Sequence, residues 1–405
     1  MGMAGVPLAC DLRQFIAWMT VSENHMNNSH VATDDFYRNV TQCVIKATQY
    51  ETNEKLAGVG TNKTILIWNS ANILDTAPFG LGYETFAQHR CEFKDCVIFD
   101  KVSDLPMEEY DAILVHVHEL WMTHLPNFQR RKHQRLVFLT QESPNSMHTI
   151  DVTQMGNLFN WTMSYKFDSD VQLLYGRIHP GPTAPKTPEE IQKFIEGTRH
   201  PSAKNYAANK TEQVVWMVSH CDTPSLRETY VRQLEKFIPV DIYGGCGNLT
   251  CPHSNLNFVS DPKCYDMMER KYKFYLSFEN SICNDYVTEK FFEIMNHDMI
   301  PVVYGGANYS QLAPPHSYIN ALEFTPEKLA EYLMRLDGND TLYNEYFWWK
   351  DHYQVEAGVE QMSRHGFCDL CKKLHQDGGV IKFYPELVSH WHPKTQCKYF
   401  NSWEI

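Results

Sequence analysis

The stretch Phe274-Tyr-Leu-Ser-Phe-Glu-Asn-Ser-Ile-Cys-Asn-Asp-Tyr-Val-Thr-Glu-Lys-Phe-Phe292 holds the densest chemistry in the chain. An apolar run that reads as a strand passes through a polar turn into a helix opening at Val287-Thr288, with Glu289 and Lys290 in its first turn. A helix start behind a parallel strand presents amide N–H groups without intrahelical partners at the carboxyl edge of the sheet, where they suit a phosphate. Lys290 would add a formal positive charge there. Asn280, Tyr286 and Glu289 are spaced to grip sugar or base hydroxyls. The same spacing also fits a merely solvated first turn, and the sequence leaves both readings open.

Two further segments could serve the same edge. In Ser219-His-Cys-Asp-Thr-Pro-Ser-Leu-Arg227 a strand is followed by a loop and then by Arg227 at a helix start, where a fork of donors suits a pyrophosphate. Leu139-Thr-Gln-Glu-Ser-Pro144 puts Glu142 just beyond an apolar strand, where a general base would face a cleft. Taken singly, Arg227 also reads as a surface arginine and Glu142 as an ordinary loop glutamate.

Other patterns do not carry chemistry. Gly80-Leu-Gly82 follows no strand and has Thr85 where a dinucleotide loop needs glycine. His116-Val-His118 alternates along an expected strand, but two rings on one face do not make a metal site. His365, Cys368, Cys371 and His375 have zinc-like spacing, yet in an oxidising compartment a Cys368–Cys371 disulfide is the expected outcome.

The elements that must position these residues follow from hydrophobic pattern. Thr64–Trp68, Ala112–Val117 and Arg135–Thr140 are short continuous apolar runs suited to strands buried on both faces of a parallel sheet. Five prolines between His179 and Ala208 mark a linker. Beyond it strands and helices alternate, with Thr325 as N-cap of a helix from Pro326. The expected division is a stem or accessory region over 1–62, an acceptor-side domain over 63–185 and a linker over 186–208. A nucleotide-binding domain over 209–365 and a disulfide-bearing extension over 366–405 complete it. The fold class is α/β, two Rossmann-like doubly wound domains facing a cleft.

Composition narrows the partners. The 405 residues include 36 basic and 49 acidic side chains, a net charge of −13 with no long basic run, which excludes nucleic acid as a partner. The apolar stretch from Leu8 to Val21 carries Asp11 and Arg13 and is too short to cross a bilayer. Twelve cysteines coincide with Asn-x-Ser/Thr sequons at Asn27, Asn39, Asn62, Asn160, Asn209, Asn248, Asn308 and Asn339. Both point to the secretory pathway. The chain is expected to be the lumenal part of a longer protein, meeting a membrane only through an anchor absent from this chain.

Phe278-Glu-Asn-Ser281, Asp285-Tyr-Val-Thr-Glu-Lys290 and Ile300-Pro-Val-Val-Tyr-Gly305 together resemble the donor-binding signature of the α1,3/4-fucosyltransferases. Glu142-Ser-Pro144, Leu158–Tyr165, Asp168-Ser-Asp170, Tyr175-Gly176 and Val240–Gly244 add to the resemblance, which runs from about Thr64 to Cys371. The resemblance implies a GT-B fold, GDP-fucose as donor, no obligatory cofactor or metal with Mn2+ at most a stimulant, and residence in the Golgi lumen as part of a type II membrane protein. By motif match Glu142 corresponds to the catalytic base, Arg227 and Lys290 to phosphate-binding cations, and Asn280, Tyr286, Glu289 and Tyr175 to donor contacts. Tyr165-Lys-Phe-Asp168 departs from the arginine pair of many relatives and leaves the role of Lys166 open. The acceptor implied is an N-glycan or glycoprotein, modified at the 3-hydroxyl of its innermost GlcNAc, with LacNAc arms as the alternative. From a different class, a non-catalytic glycan-binding protein on the same fold would have no use for Glu142 beside two cations.

Overall fold

Fifteen strands, β1 to β15, assemble chiefly into two parallel sheets in the computed structural model, which describes residues 62–69, 78–121, 124–147, 151–200, 203–251, 262–377 and 379–400. Residues 1–61 of the stem expected over 1–62, with Cys10, Cys43 and the sequons Asn27 and Asn39, lie outside the described residues. Among those described, no helix is long and apolar enough to cross a membrane.

The first sheet has the order β2-β1-β3-β4-β5-β6, from β1 (Lys63–Ile67), β2 (Cys96–Phe99), β3 (Ala112–His116), β4 (Arg135–Thr140), β5 (Trp161–Ser164) and β6 (Val171–Gln172). Every pairing in it is parallel. The second has the order β13-β12-β10-β8-β9, from β8 (Glu212–Met217), β9 (Val240–Tyr243), β10 (Tyr272–Phe278), β12 (Ile300–Tyr304) and β13 (Ile319–Asn320), again all parallel. β4 and β10 are buried at every position, as continuous apolar runs require.

Helices of seven residues or more are α1 (Pro188–Gly197), α2 (Arg227–Leu234), α3 (Pro262–Lys271), α4 (Glu289–Met295), α5 (Pro326–Asp337) and α6 (Val359–Gln376). In the second domain α2 and α5 cover one face of the sheet through Tyr230, Leu234, Leu329 and Leu333. The other face packs on α3 and α4 through Met268, Ile294 and Phe292. Thr325 caps α5 as expected, its side chain accepting from the Lys328 N–H. This is a doubly wound domain.

The first domain is completed from far along the chain. Phe367, Leu370 and Leu374 of α6 cover one face of its sheet. Tyr384, Leu387 and Trp391 cover the other, against Ile113, Leu136 and Phe138. The boundary expected at 365/366 therefore falls inside a helix, and the expected extension is core of the first domain. An apolar sheet face needs a cover, and the sequence-local segments are too short to supply one. Two antiparallel ladders stitch the halves: β7 (Gly176–Pro180) with β14 (Tyr353–Ala357), and β11 (Ile282–Cys283) with β15 (Cys397–Lys398).

Two expectations fail for identifiable reasons. The proline-rich linker contains α1, because Pro188 occupies its first turn, where no amide donor is needed. No Cys368–Cys371 bond forms. Both residues lie on α6 and reach out to the first sheet, as Cys91–Cys368 and Cys96–Cys371. The remaining pairs are Cys221–Cys246, Cys251–Cys264 and Cys283–Cys397, with no free cysteine among the described residues. His118 leaves the strand for a single-turn helix, although its ring still lies edge-on to His116 at 6.4 Å. Among the sequons, Asn160 is fully buried, its amide holding the Leu136 N–H and the Lys382 carbonyl. Asn209, Asn248, Asn308 and Asn339 are exposed.

After β12 the chain passes so close to the β10–α4 loop that a Cβ on Gly306 would stand 2.5 Å from the Cys283 carbonyl oxygen. Gly306→Ala is expected to cost about 1–3 kcal/mol in stability, measured by denaturant unfolding. An unchanged midpoint would contradict this close approach.

Candidate active site

Parallel strands release their loops at one edge, so β4 in the first sheet and β8, β10 and β12 in the second deliver residues to the carboxyl edges, where the loops after β4 and β10 meet. β4 hands over Gln141, Glu142 and the turn Pro144–Ser146 from the first domain. β10 hands over Glu279 and Asn280, followed by the loop to Tyr286 and α4.

The two domains meet here by hydrogen bonding. Ser143 Oγ donates to Ser281 Oγ at 2.8 Å. The Tyr286 hydroxyl donates to Glu142 Oε2 at 3.4 Å, as does Ser146 Oγ at 3.4 Å. Both contacts are long, so the half-buried Glu142 carboxylate keeps most of its accepting capacity. Tyr286 is buried with its ring 4.9 Å from that of Tyr165. Burial, reinforced by the Glu142 charge, keeps its hydroxyl protonated far above the usual tyrosine range. It is therefore a donor throughout. The Tyr175 hydroxyl donates to the Gln141 carbonyl at 3.0 Å and props the same loop. Asp285 holds a left-handed backbone (φ 62°), which aspartate tolerates better than most residues, and accepts from the Phe167 N–H at 3.4 Å.

Beside this seam lies a compact charge cluster. Lys290 Nζ donates to Glu289 Oε1 at 2.8 Å and to Thr288 Oγ1 at 2.8 Å, and stands 3.7 Å from Glu279 Oε2. Burial opposes the lysine's charge, but the Glu289 and Glu279 carboxylates outweigh it and hold the ammonium above the ordinary range. Burial likewise opposes the Glu289 charge, and the Lys290 ammonium more than offsets it, leaving that carboxyl below its usual value. Glu279 differs. It is fully buried, and burial raises its pKa despite Lys290. Its carboxyl accepts the Thr288 N–H at 2.8 Å and the Thr288 hydroxyl at 2.9 Å. One amide expected to be open at the α4 tip is thus occupied by a side chain that did not stand out from sequence. An acid directly behind a buried strand was the signal available.

Arg227 sits behind the crevice. It is 2% exposed, donates to the Phe278 carbonyl at 2.6 Å and the His220 carbonyl at 3.1 Å, and lies 5.6 Å from the Trp216 ring centroid. Burial lowers its pKa, with Glu279 opposing. Its Nε and the Oδ1 of Asn280 are buried without a partner among the described residues, unused hydrogen-bonding capacity at this edge. Six of the seven residues singled out from sequence therefore line the seam or the cluster, while Arg227 backs it. Lys166 donates to Gln396 Oε1 of the C-terminal segment at 2.8 Å and lies 3.5 Å from Asp168 Oδ1.

Of the described groups that could hold a metal ion, Cys96 and Cys371 are consumed by their disulfide, leaving His375 alone. Asp266, Glu269 and His297 lie near the amino ends of β10 and β12, the opposite edge from the site.

Because Glu279 binds its proton more tightly when folded, the native chain holds more protons than the unfolded chain just above the ordinary carboxyl range. Its contribution to stability is present below that range and is lost as pH rises through its folded value. Glu279→Gln keeps the shape and removes the titration, so its stability relative to the parent is expected to improve from pH 4.5 to 8 in unfolding titrations. A pH-independent difference would contradict this.

Residues 207–391 match the family model described as glycosyltransferase family 10 (fucosyltransferase) C-term, and residues 60–176 that described as fucosyltransferase, N-terminal. The chain is 36% identical over 350 residues to alpha-(1,3)-fucosyltransferase C of Drosophila melanogaster, covering 82% of this chain and 78% of that protein. It is 33% identical over 351 residues to glycoprotein 3-alpha-L-fucosyltransferase A of the same species, covering 85% and 63%. A bovine relative named 3-galactosyl-N-acetylglucosaminide 4-alpha-L-fucosyltransferase FUT3 is 33% identical over 292 residues, covering 70% and 71%. A solved α1,3-fucosyltransferase aligns with 76% of this chain and 86% of its own at 17% identity and a TM-score of 0.42. With two parallel α/β domains meeting at their carboxyl edges and both halves matched in order, the chain belongs to glycosyltransferase family 10, the fucosyltransferases.

Proposed function

We propose that this chain moves L-fucose from GDP-β-L-fucose to the 3-hydroxyl of a GlcNAc, the innermost one of an N-glycan, with inversion in a single displacement. The observation that carries the proposal is the contact between Tyr286, from the nucleotide-side loop, and Glu142, from the other domain. A carboxylate with accepting capacity to spare then faces the loop that would hold the donor.

The transition state has oxocarbenium character, and negative charge grows on the departing GDP. Lys290, held in place by Glu289 and Glu279, supplies a fixed positive charge for that diphosphate. Arg227 adds charge from behind, and Asn280, Tyr286, Glu289 and Tyr175 surround the donor. Glu142 takes the proton from the acceptor hydroxyl as it attacks C1 of fucose, and the C1–O bond to GDP breaks with its electron pair leaving on the diphosphate. Mn2+ has no assigned part in these steps.

The innermost GlcNAc as acceptor is supported by similarity to a relative whose name specifies glycoprotein. LacNAc arms are the second reading, favoured by 33% identity to a relative named for galactosyl-N-acetylglucosaminide. Residence in the Golgi lumen, as part of a type II membrane protein, is supported by five disulfides and four exposed sequons among the described residues.

Offering GDP-fucose with a core N-glycan glycopeptide and with LacNAc separates the two acceptors. Fucose on the innermost GlcNAc supports the first reading, and fucose on LacNAc alone overturns it. Glu142→Gln is expected to retain GDP binding and lose about 10²- to 10⁴-fold in turnover, and near-normal turnover would reject the base. Lys290→Ala is expected to weaken GDP binding by about tenfold or more in a titration, and an unchanged dissociation constant would count against the assignment.

A further inference from the structure

Beside the Glu142 turn is a cavity of about 400 Å³ that belongs to neither sheet. Asn145 and Asp151 of the first domain, Pro224 of the second, and Trp391, His392 and Tyr399 of the C-terminal segment line it. The segment that supplies half of these residues is strapped across both domains. Its Tyr384 hydroxyl donates to Asp170 Oδ2 at 2.7 Å in the first domain, and Cys397 is bonded to Cys283 in the second. The Tyr399 hydroxyl donates to Asn145 Oδ1 at 2.5 Å and closes the wall onto the turn that carries Glu142.

The chemistry of the lining selects its occupant. Among the described residues Asp151 and His392 are its only titratable lining groups besides the tyrosine, and no lysine or arginine lines it, so they offer a diphosphate no cation. Aromatic faces next to an amide, a carboxylate and an imidazole suit a neutral pyranose, whose C–H face stacks while its hydroxyls hydrogen-bond. Tyr399 is 56% exposed, an open ring surface at the rim. Pro144 and Asn145, which follow Glu142 closely in the chain, form part of the cavity wall, so an acceptor seated there lies beside the loop that carries the base.

We infer that this cavity is an acceptor-sugar subsite, with the C-terminal strap as its outer wall and Tyr399 as a stacking platform for a neutral pyranose of the acceptor. The inference rests on the proposed fucosyl transfer and adds the place where the acceptor is read. Acceptor choice is then determined by a segment outside both sheets, held against the donor loop by the Cys283–Cys397 bond.

Steady-state kinetics with a core N-glycan glycopeptide as acceptor tests it, using Tyr399→Ala and Tyr399→Phe. Tyr399→Ala is expected to raise the acceptor KM by about tenfold, while the KM for GDP-fucose and the slow hydrolysis of GDP-fucose by water stay unchanged. Tyr399→Phe keeps the ring and is expected to stay near the parent. An unchanged acceptor KM in Tyr399→Ala overturns the subsite. So does a parallel rise in the donor KM, or a Tyr399→Phe variant as impaired as Tyr399→Ala, since either makes Tyr399 a prop for the loops. A parent chain that neither transfers fucose nor hydrolyses GDP-fucose would instead mark failure of the proposed function.

Discussion

The seam between the β4 turn and the β10 loop is the constraint on which the rest of the molecule depends. Ser143 meets Ser281 and Glu142 meets Tyr286, so a carboxylate from one domain is fixed against a loop from the other. Neither domain contains a complete site. Two parallel sheets with their carboxyl edges turned toward each other give each loop a partner, and the glycine pair after β12 lets a third loop approach closely. The buried Glu279 sits at the join. It holds the amide of Thr288, the N-cap of α4, and flanks Lys290, so it ties the strand end to the helix start and the cation.

The second theme is how much of the first domain comes from the end of the chain. Its sheet is covered on one face by α6 and on the other by Tyr384, Leu387 and Trp391. Asp170 serves here as the anchor for Tyr384 and Lys382. Lys166 reaches the same segment through Gln396. Disulfides Cys91–Cys368, Cys96–Cys371 and Cys283–Cys397 join sequence-distant parts, closing loops whose entropy would otherwise favour the unfolded chain. The strap is thus both core and wall.

What could be read from sequence was what depends on local pattern. The apolar runs at Arg135–Thr140 and Lys273–Phe278 announced buried strands, and Thr325-Pro326 announced a helix start. The placement of Glu142, Asn280, Tyr286 and Lys290 was legible, since each stands just past a strand or at a helix tip. What depends on partners distant in sequence was not. Spacing alone paired Cys368 with Cys371, whereas the fold pairs each with a cysteine some 275 residues earlier. Pro188 was read as a helix breaker because its position relative to α1 was not visible. The burial of Arg227 depends on carbonyls of Phe278 and His220, which only the folded loops bring to it. Glu279 lay within a recognised motif, yet its function as an anchor appears only when Thr288 folds back onto it.

A crystal structure of the chain with GDP bound addresses the central arrangement most directly. The account places the diphosphate within hydrogen-bond reach of Lys290 Nζ, in the crevice that Glu142 faces. A diphosphate seated elsewhere, or a Glu142 carboxylate turned away from the occupied crevice, would contradict it.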